Sequence, residues 1–316
     1  MRTGWRKKSA AADCLHKGVW NVRTKNAANR VDGFTVFSYI IVTLFMIAVL
    51  IPFWNVLVIS LTSSAEYIQT PILIFLKHPT FSAYRTMLGD KRLLIGYSTT
   101  LKILLIGLPI NILLTVTMSY AISRRSYPGK KFFLYFVMFT MFFSGGIIPL
   151  YLLVKELSLT NTIWAVILPG ALNTFYMIIT RNFFQSLPAA LEESAEIDGA
   201  GNLTILFRIY LPLAMPILAT IALFYAVDRW NEWYSAMIFI RTPTLTPLQL
   251  VLRSIVIESQ IVTGETTSAG AEMGQSKFAL GTKMAAVFIS MVPIMAVYPF
   301  LQKYFVKGVL IGAVKA

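Results

Sequence analysis

Residues 191–200 read Leu191-Glu192-Glu193-Ser194-Ala195-Glu196-Ile197-Asp198-Gly199-Ala200, the one concentrated acidic patch of the chain. Pro188 is suited to a first helical turn. Glu192, Glu193, Glu196 and Asp198 favour the positive N-terminal end of the helix that would follow. Gly199 or Gly201 can end it with a left-handed residue. What this segment offers is charge on a short helix before a sharp turn; its plainer alternative is a solvated loop helix. A second cluster, Trp230-Asn231-Glu232-Trp233, combines aromatic faces with planar polar groups. That chemistry satisfies sugar hydroxyls, and the two tryptophans could equally anchor a helix at a membrane interface. Asn111 and Asn173 are the best polar residues inside long apolar runs, open to hydrogen bonding between helices or to substrate contact. Gly145-Gly146 could line a path beside them.

Several chemistries are excluded. No Gly-x-x-x-x-Gly-Lys-Ser/Thr loop is present, so the chain is not itself an ATPase. The two histidines, His16 and His78, lack partners at metal-ligand spacing. A single cysteine, Cys14, rules out a disulfide scaffold. A net charge of +14 in 316 residues carries no nucleic-acid motif with it.

These residues must be positioned by membrane helices. With 56% of residues hydrophobic and 13% charged, there is too little polar surface to cover a soluble globule. A span needs about 20 mostly apolar residues. Six stretches qualify: 34–61, 93–122, 132–154, 163–184, 206–227 and 279–300. All six carry Pro or Gly near the middle or an end, as membrane helices tolerate. None alternates at period two, so a barrel is excluded. The expected fold is an all-α polytopic membrane protein with six transmembrane helices.

Orientation follows from basic residues. The tail before residue 34, Arg124, Arg125, Lys130, Lys131, Arg181, Arg208, Lys303, Lys307 and Lys315 fall on one side of such a topology. That side is read as cytoplasmic, with both termini on it. The late, long first apolar run without an Ala-x-Ala site reads as a retained N-terminus rather than a secretory signal. The acidic patch therefore sits on the cytoplasmic side. Residues 245–257, apolar but too short to span, are expected at the outer interface, ahead of a Gly/Ser/Thr-rich segment, 263–276.

Glu193-Ser194-Ala195, Gly199, Ile209, Leu211 and Pro212 resemble the "EAA" loop of ABC-importer permeases: Glu-Ala-Ala, three residues, Gly, nine residues, Ile, one residue, Leu-Pro. Ser194 for the first alanine is the one departure. Trp230-Asn231-Glu232-Trp233 resembles the outer signature of carbohydrate-type permeases. The ending Tyr298-Pro299-Phe300-Leu301-Gln302-Lys303-Tyr304-Phe305, with Gly308-Val309 and Gly312-Ala313-Val314-Lys315, is similar to the tail of maltose-type and lipo-oligosaccharide-type subunits.

The resemblance implies the transmembrane domain of a type I ABC importer, covering residues 34–316. It implies a second homologous permease, two ABC ATPase subunits that hold ATP and Mg, an extracytoplasmic solute-binding protein, and a bacterial inner membrane. No cofactor or metal is expected on this chain, and no enzymatic activity. The coupling residues it implies are Glu193, Ser194, Ala195, Asp198, Gly199, Ala200, Ile209, Leu211 and Pro212, in a loop over 186–205. Trp230, Asn231, Glu232, Trp233 and Asn173 are the expected contacts of substrate or binding protein. The cargo would be a sugar, an oligosaccharide, and an acidic one would suit Arg229 and Arg241. The expected organisation is a basic extension (1–33), a first span and outer loop (34–92), a five-helix core (93–300) and a tail (301–316). An ion-coupled secondary transporter is the alternative. It would want ionisable groups at midplane, and no expected span has Asp, Glu or His near its centre.

Overall fold

Long apolar runs leave the backbone few ways to satisfy its own polar groups in a bilayer, and helix is the local one. The computed structural model describes residues 33–63, 66–67, 75–76, 78–124, 127–264, 280–297 and 299, and among them every regular element is helical. The basic extension and the residues of the tail signature other than Pro299 lie outside the described residues. The chain falls into two units, residues 1–53 and 54–316. All described residues of the first belong to α1 (Gly33–Ser60), apolar throughout with Pro52 inside it.

In the second unit α2 (Ser82–Gly89) leads into α3 (Lys91–Ser123). Asp90 caps α3, its carboxylate accepting from the Arg92 amide at 2.8 Å. Around α3 pack α7 (Thr174–Ser186), α9 (Asn202–Trp230) and α11 (Leu248–Gly264). The remaining elements are α4 (Lys130–Phe142), α5 (Ile147–Glu156), α6 (Trp164–Ile167), α8 (Ala189–Ile197), α10 (Tyr234–Phe239) and α12 (Leu280–Val297).

Among the described residues, only α1, α3, α9 and α12 are by themselves long and apolar enough to cross a membrane. The expected count of six is not reached among the described residues, for two local reasons. The stretch 132–154 bends by 111° between α4 and α5. The break holds Gly146 at φ +87°, a conformation glycine adopts freely. The stretch 163–184 is interrupted after the single turn α6, where Pro169-Gly170 cannot continue a helix, and resumes at α7. Asn173 restarts it, its Oδ1 accepting from the amides of Phe175 (2.9 Å) and Tyr176 (3.3 Å).

The short apolar stretch expected at the outer interface packs against the first turns of α3. Leu248, Val251, Leu252 and Ile255 of α11 repeat at helical spacing and are buried with Leu93, Ala285 and Ala286. The approach to α3 is close: a Cβ on Gly96 would lie 3.0 Å from the Leu248 Cα. The Leu248 amide donates to Thr100 Oγ1 at 2.9 Å. A small residue at the contact and a polar bond across it is how helices associate without a hydrophobic drive from water.

Candidate functional site

Helix α8 carries the acidic patch. Its end is fixed by two reverse bonds, Ala200 N–H to Ala195 O (2.9 Å) and Gly199 N–H to Glu196 O (3.0 Å). This is a Schellman ending, with Gly199 at φ +77°. Of the two glycines expected to close the helix, Gly199 does so; Gly201 is extended and precedes α9. Ser194 Oγ donates to Ala190 O at 2.8 Å, so the hydroxyl folds back on its own helix.

Two carboxylates of α8 turn inward. Glu192 and Glu196, one helical turn apart, meet Arg124, which follows the last turn of α3. Arg124 Nη1 lies 2.9 Å from Glu192 Oε1, and Nη2 lies 2.5 Å from Glu196 Oε1. Tyr210 Oη donates to the second oxygen of Glu192 at 2.6 Å. Arg124 Nη1 also donates to Tyr120 Oη, and that hydroxyl donates to Asn202 O, each at 3.1 Å. Burial opposes the Arg124 charge, but Tyr120, Glu192 and Glu196 outweigh it and hold its pKa above the usual arginine value. Behind the clasp Tyr120, Phe184 and Tyr210 pack edge to face. One basic and two acidic groups thus fasten α8 to both α3 and α9.

The joint into α9 has its own distortion. Residues Leu206–Tyr210 form a π-turn, with Leu211 N–H bonded to Leu206 O. Pro212 lacks an N–H for the Arg208 carbonyl and its ring crowds that oxygen, so a wider turn relieves the clash. Ile209 and Leu211 are half-buried against the core formed by Val116, Tyr120, Phe184 and Leu206, while Pro212 is exposed.

The rest of α8 is more open. Glu193, Ser194 and Asp198 are exposed, Glu193 lining a cavity of about 480 Å³ with Glu192, Glu196 and Lys130, while Ala195 and Ala200 are half-buried against the core. Ile197 of α8 is 86% exposed, and Leu203 and Phe207 in the first turns of α9 are 70% and 55% exposed. Large apolar side chains rimming a carboxylate on a short helix form a surface suited to a protein partner.

At the other end of α9 the tryptophan cluster divides. Trp230 is buried with Leu93, Leu248 and Ala285, and its ring meets Tyr97 at 6.2 Å. Its Nε1 has no partner among the described residues. Glu232 Oε1 accepts the Ser235 amide at 3.0 Å in the first turn of α10. Asn231 and Trp233 face a cavity of about 420 Å³ between α9, α11 and α12, shared with Gln249, Arg253 and Ser290. The Arg253 guanidinium carbon lies 4.6 Å over the Trp233 ring. Asn173 is not brought to this cavity; it caps α7 and donates its amide to Tyr225 Oη at 2.9 Å. Gly145 and Gly146 are exposed at the α4–α5 break.

Arg229, expected to be available to an acidic cargo, is 4% exposed and committed. It donates to Val166 O (3.0 Å), Ile167 O (2.9 Å), Gly170 O (2.9 Å) and Asn111 Oδ1 (3.2 Å). Asn111 Nδ2 donates in turn to Gly170 O and Ala171 O, at 3.1 and 2.7 Å. Together they satisfy the carbonyls released where the fourth stretch breaks, in place of the continuous helix expected there. Arg241 is exposed and bonded to Tyr151 Oη at 3.3 Å. Sequence reasoning missed Arg124 and Arg229 as partners. The available signals were the i, i+4 pair Glu192/Glu196 for the first, and for the second a Pro-Gly break needing donors.

Residues 127–311 match the family described as binding-protein-dependent transport system inner membrane component. The chain is 42% identical over 268 residues to Protein LplC of Bacillus subtilis, covering 84% of this chain and 89% of that one. It is 37% identical to the polygalacturonan/rhamnogalacturonan transport system permease protein YtcP of Bacillus subtilis, over 91% of this chain and 99% of the relative. A chain in the crystal structure of a bacterial ABC transporter involved in the import of the acidic polysaccharide alginate superposes with a TM-score of 0.77 at 30% identity. That match covers 88% of this chain and 98% of the other. The chain belongs to the family of inner membrane components of binding-protein-dependent transport systems, and is a multi-pass membrane protein.

Proposed function

We propose that this permease carries a saccharide inward, driven by separate ATPase subunits that dock on α8 and fed by a soluble binding protein at the opposite end. The observation that carries the reading is the two-sidedness of α8. Its inner carboxylates tie it to α3 and α9 through Arg124 and Tyr210, while Glu193, Ser194 and Ile197 of the same helix remain exposed. A force applied to the open face is passed through the clasp to two spanning helices at once. A permease with two discrete openings can be switched by such a lever. Glu193, Ser194, Ala195, Asp198, Gly199 and Ala200 form the docking element, and Ile209, Leu211 and Pro212 the joint. ATP and Mg belong to the partner ATPases, and a second, homologous permease completes the path.

The saccharide class follows the names of the relatives, one a polygalacturonan/rhamnogalacturonan permease and one from an alginate importer. Both termini and α8 face the cytoplasm, in keeping with the basic residues on that side. Of the expected outer contacts the reading keeps Asn231 and Trp233, since Trp230 is core, Asn173 a helix cap and Glu232 bonded to the Ser235 amide.

The test is reconstitution of the permease with its ATPases and binding protein in vesicles. Sugar-loaded binding protein should stimulate ATP hydrolysis and drive uptake; hydrolysis that never responds to it would refute the reading. With Cys14 replaced, a cysteine at Gly201 should label only from the cytoplasmic side and one at Thr244 only from outside.

A further inference from the structure

We infer that the cavity between α9, α11 and α12 is a subsite for a carboxylate-bearing saccharide, with Arg253 as its anion contact. The inference rests on the reading of the chain as a saccharide importer, and adds to it the charge of the cargo and the residue that reads it.

The Arg253 guanidinium carbon lies 4.6 Å over the Trp233 ring. A guanidinium held over an aromatic ring keeps its planar N–H fork, which can take a carboxylate with two parallel bonds. The hydrogen bond it makes is to a weak acceptor, Met237 Sδ, at 2.8 Å. No carboxylate of the described residues pairs with it. Neighbouring cations are engaged elsewhere. Arg92 holds Asp90 and Glu258, and Arg229 is buried on carbonyls. Arg253 therefore brings an uncompensated charge to the wall of a cavity.

The rest of the lining fits a sugar rather than a simple anion. Asn231 and Gln249 bring carboxamides, joined by a long bond of 3.4 Å from Gln249 Nε2 to Asn231 Oδ1. Ser290 brings a hydroxyl whose oxygen can still accept while it donates to Val287 O, and Trp233 brings an indole ring. Leu252 and Ile294 supply an apolar floor for a ring face. A volume of about 420 Å³ lies within the usual range for small-molecule sites. A neutral sugar would leave the arginine unanswered. A uronic acid answers it with its carboxylate while its hydroxyls meet the amides.

The assembled, nucleotide-free transporter in zwitterionic nanodiscs, with trigalacturonate and its methyl ester as probes, provides the test by saturation-transfer NMR. Wild type should bind the acid more tightly than the ester. Arg253→Gln should weaken the acid about tenfold and leave the ester within about twofold, the scale of a lost charge-assisted bond. Arg253→Lys, which keeps charge but not the fork, should fall between. Trp233→Ala should weaken both probes alike. Equal affinity for acid and ester in wild type, or acid binding indifferent to Arg253→Gln and Arg253→Glu, overturns the inference. So does an effect of Arg253→Gln that appears only with anionic lipid, since the anion would then be a headgroup. Wild-type hydrolysis stimulated by loaded binding protein alongside any of these results leaves the importer reading standing; absence of stimulation removes both.

Discussion

Arg124 and Arg229 sit near opposite ends of the helix bundle, both nearly buried, at 8% and 4% exposure, and are satisfied by different chemistry. Arg124 is met by two carboxylates, one of them, Glu196, half exposed through its side chain. Among the described residues Arg229 forms no salt bridge and donates instead to three backbone carbonyls and Asn111. An ion-pair network with one exposed member can loosen there, because water can take over the carboxylate of Glu196. Carbonyls freed by a broken helix inside a bilayer have no such substitute. The α8 end is thus held by a fastening that can yield to a partner, and the α10 end by one that cannot. A lever needs the first kind and a fixed frame around a cargo cavity needs the second.

The largest expected effect comes from breaking the frame. Arg229→Leu removes a donor from several buried acceptors, a loss of more than about 3 kcal/mol when each unmet group costs about 1–3 kcal/mol. The purified transporter should melt well below wild type and extract poorly. Arg124→Leu should be clearly milder in the same thermal scan, and if the two variants melt alike the contrast between the ends collapses. Next is Gly199→Val. A Cβ there meets nothing within 4 Å, so the obstacle is the backbone at φ +77°. Left-handed strain of about 1–3 kcal/mol should unwind the end of α8 and abolish uptake while membrane insertion survives. Gly199→Asn, which tolerates that conformation, should keep most transport. Equal failure of both would show that bulk at the docking face matters, rather than the turn.

The spacing Glu193…Gly199…Ile209-x-Leu211-Pro212 carried the α8 end openly, because a short helix, its cap and its joint are local and each leaves a residue-type signature. Gly199 is legible for that reason. The α10 end was less so. Hydropathy windows ran through Gly145-Gly146 and Pro169-Gly170, since averaging over 20 residues cannot see a change of direction. Residues 248, 251, 252 and 255 display a helical face, but that it buries against α3 depends on Gly96, some 150 residues away in sequence. Trp230 and Trp233 are chemically identical and three residues apart, yet one is buried in the core and the other faces the cavity between α9, α11 and α12. Pairing of Arg124 with Glu192 and Glu196 is a tertiary fact of the same kind.

A smaller effect sharpens the idea of a fastening that yields. Arg124→Gln and Glu192→Gln, singly and together, form a cycle whose interaction energy should be about 1–2 kcal/mol, larger than a surface pair because the arginine is enclosed, and tempered by the exposure of Glu196. Uptake should fall in each single variant with binding-protein stimulation partly uncoupled from transport. A cycle energy near zero would leave Tyr210 as the main tie of α8 to the bundle.

The smallest expected effect is at Ser194, where the sequence departs from the alanine of the motif. Its hydroxyl donates to Ala190 O, inside α8 and away from any neighbour helix. Such back-bonding gives a helix little, and serine is a somewhat weaker helix former than alanine. Ser194→Ala should therefore raise helix stability by a few tenths of a kcal/mol and leave uptake and ATP hydrolysis at wild-type levels. Glu193→Ala on the same exposed face should lower coupling modestly, within the about 0–1 kcal/mol of a solvated ion pair. If Ser194→Ala instead lost transport about tenfold, a shift of roughly 1.4 kcal/mol, the hydroxyl would have to leave Ala190 and bond to the docked partner. The open face would then recognise its partner through polar detail rather than through Ile197, Leu203 and Phe207. Fastening and docking would share the same kind of bond, and the division of labour between the two faces of α8 would have to be redrawn.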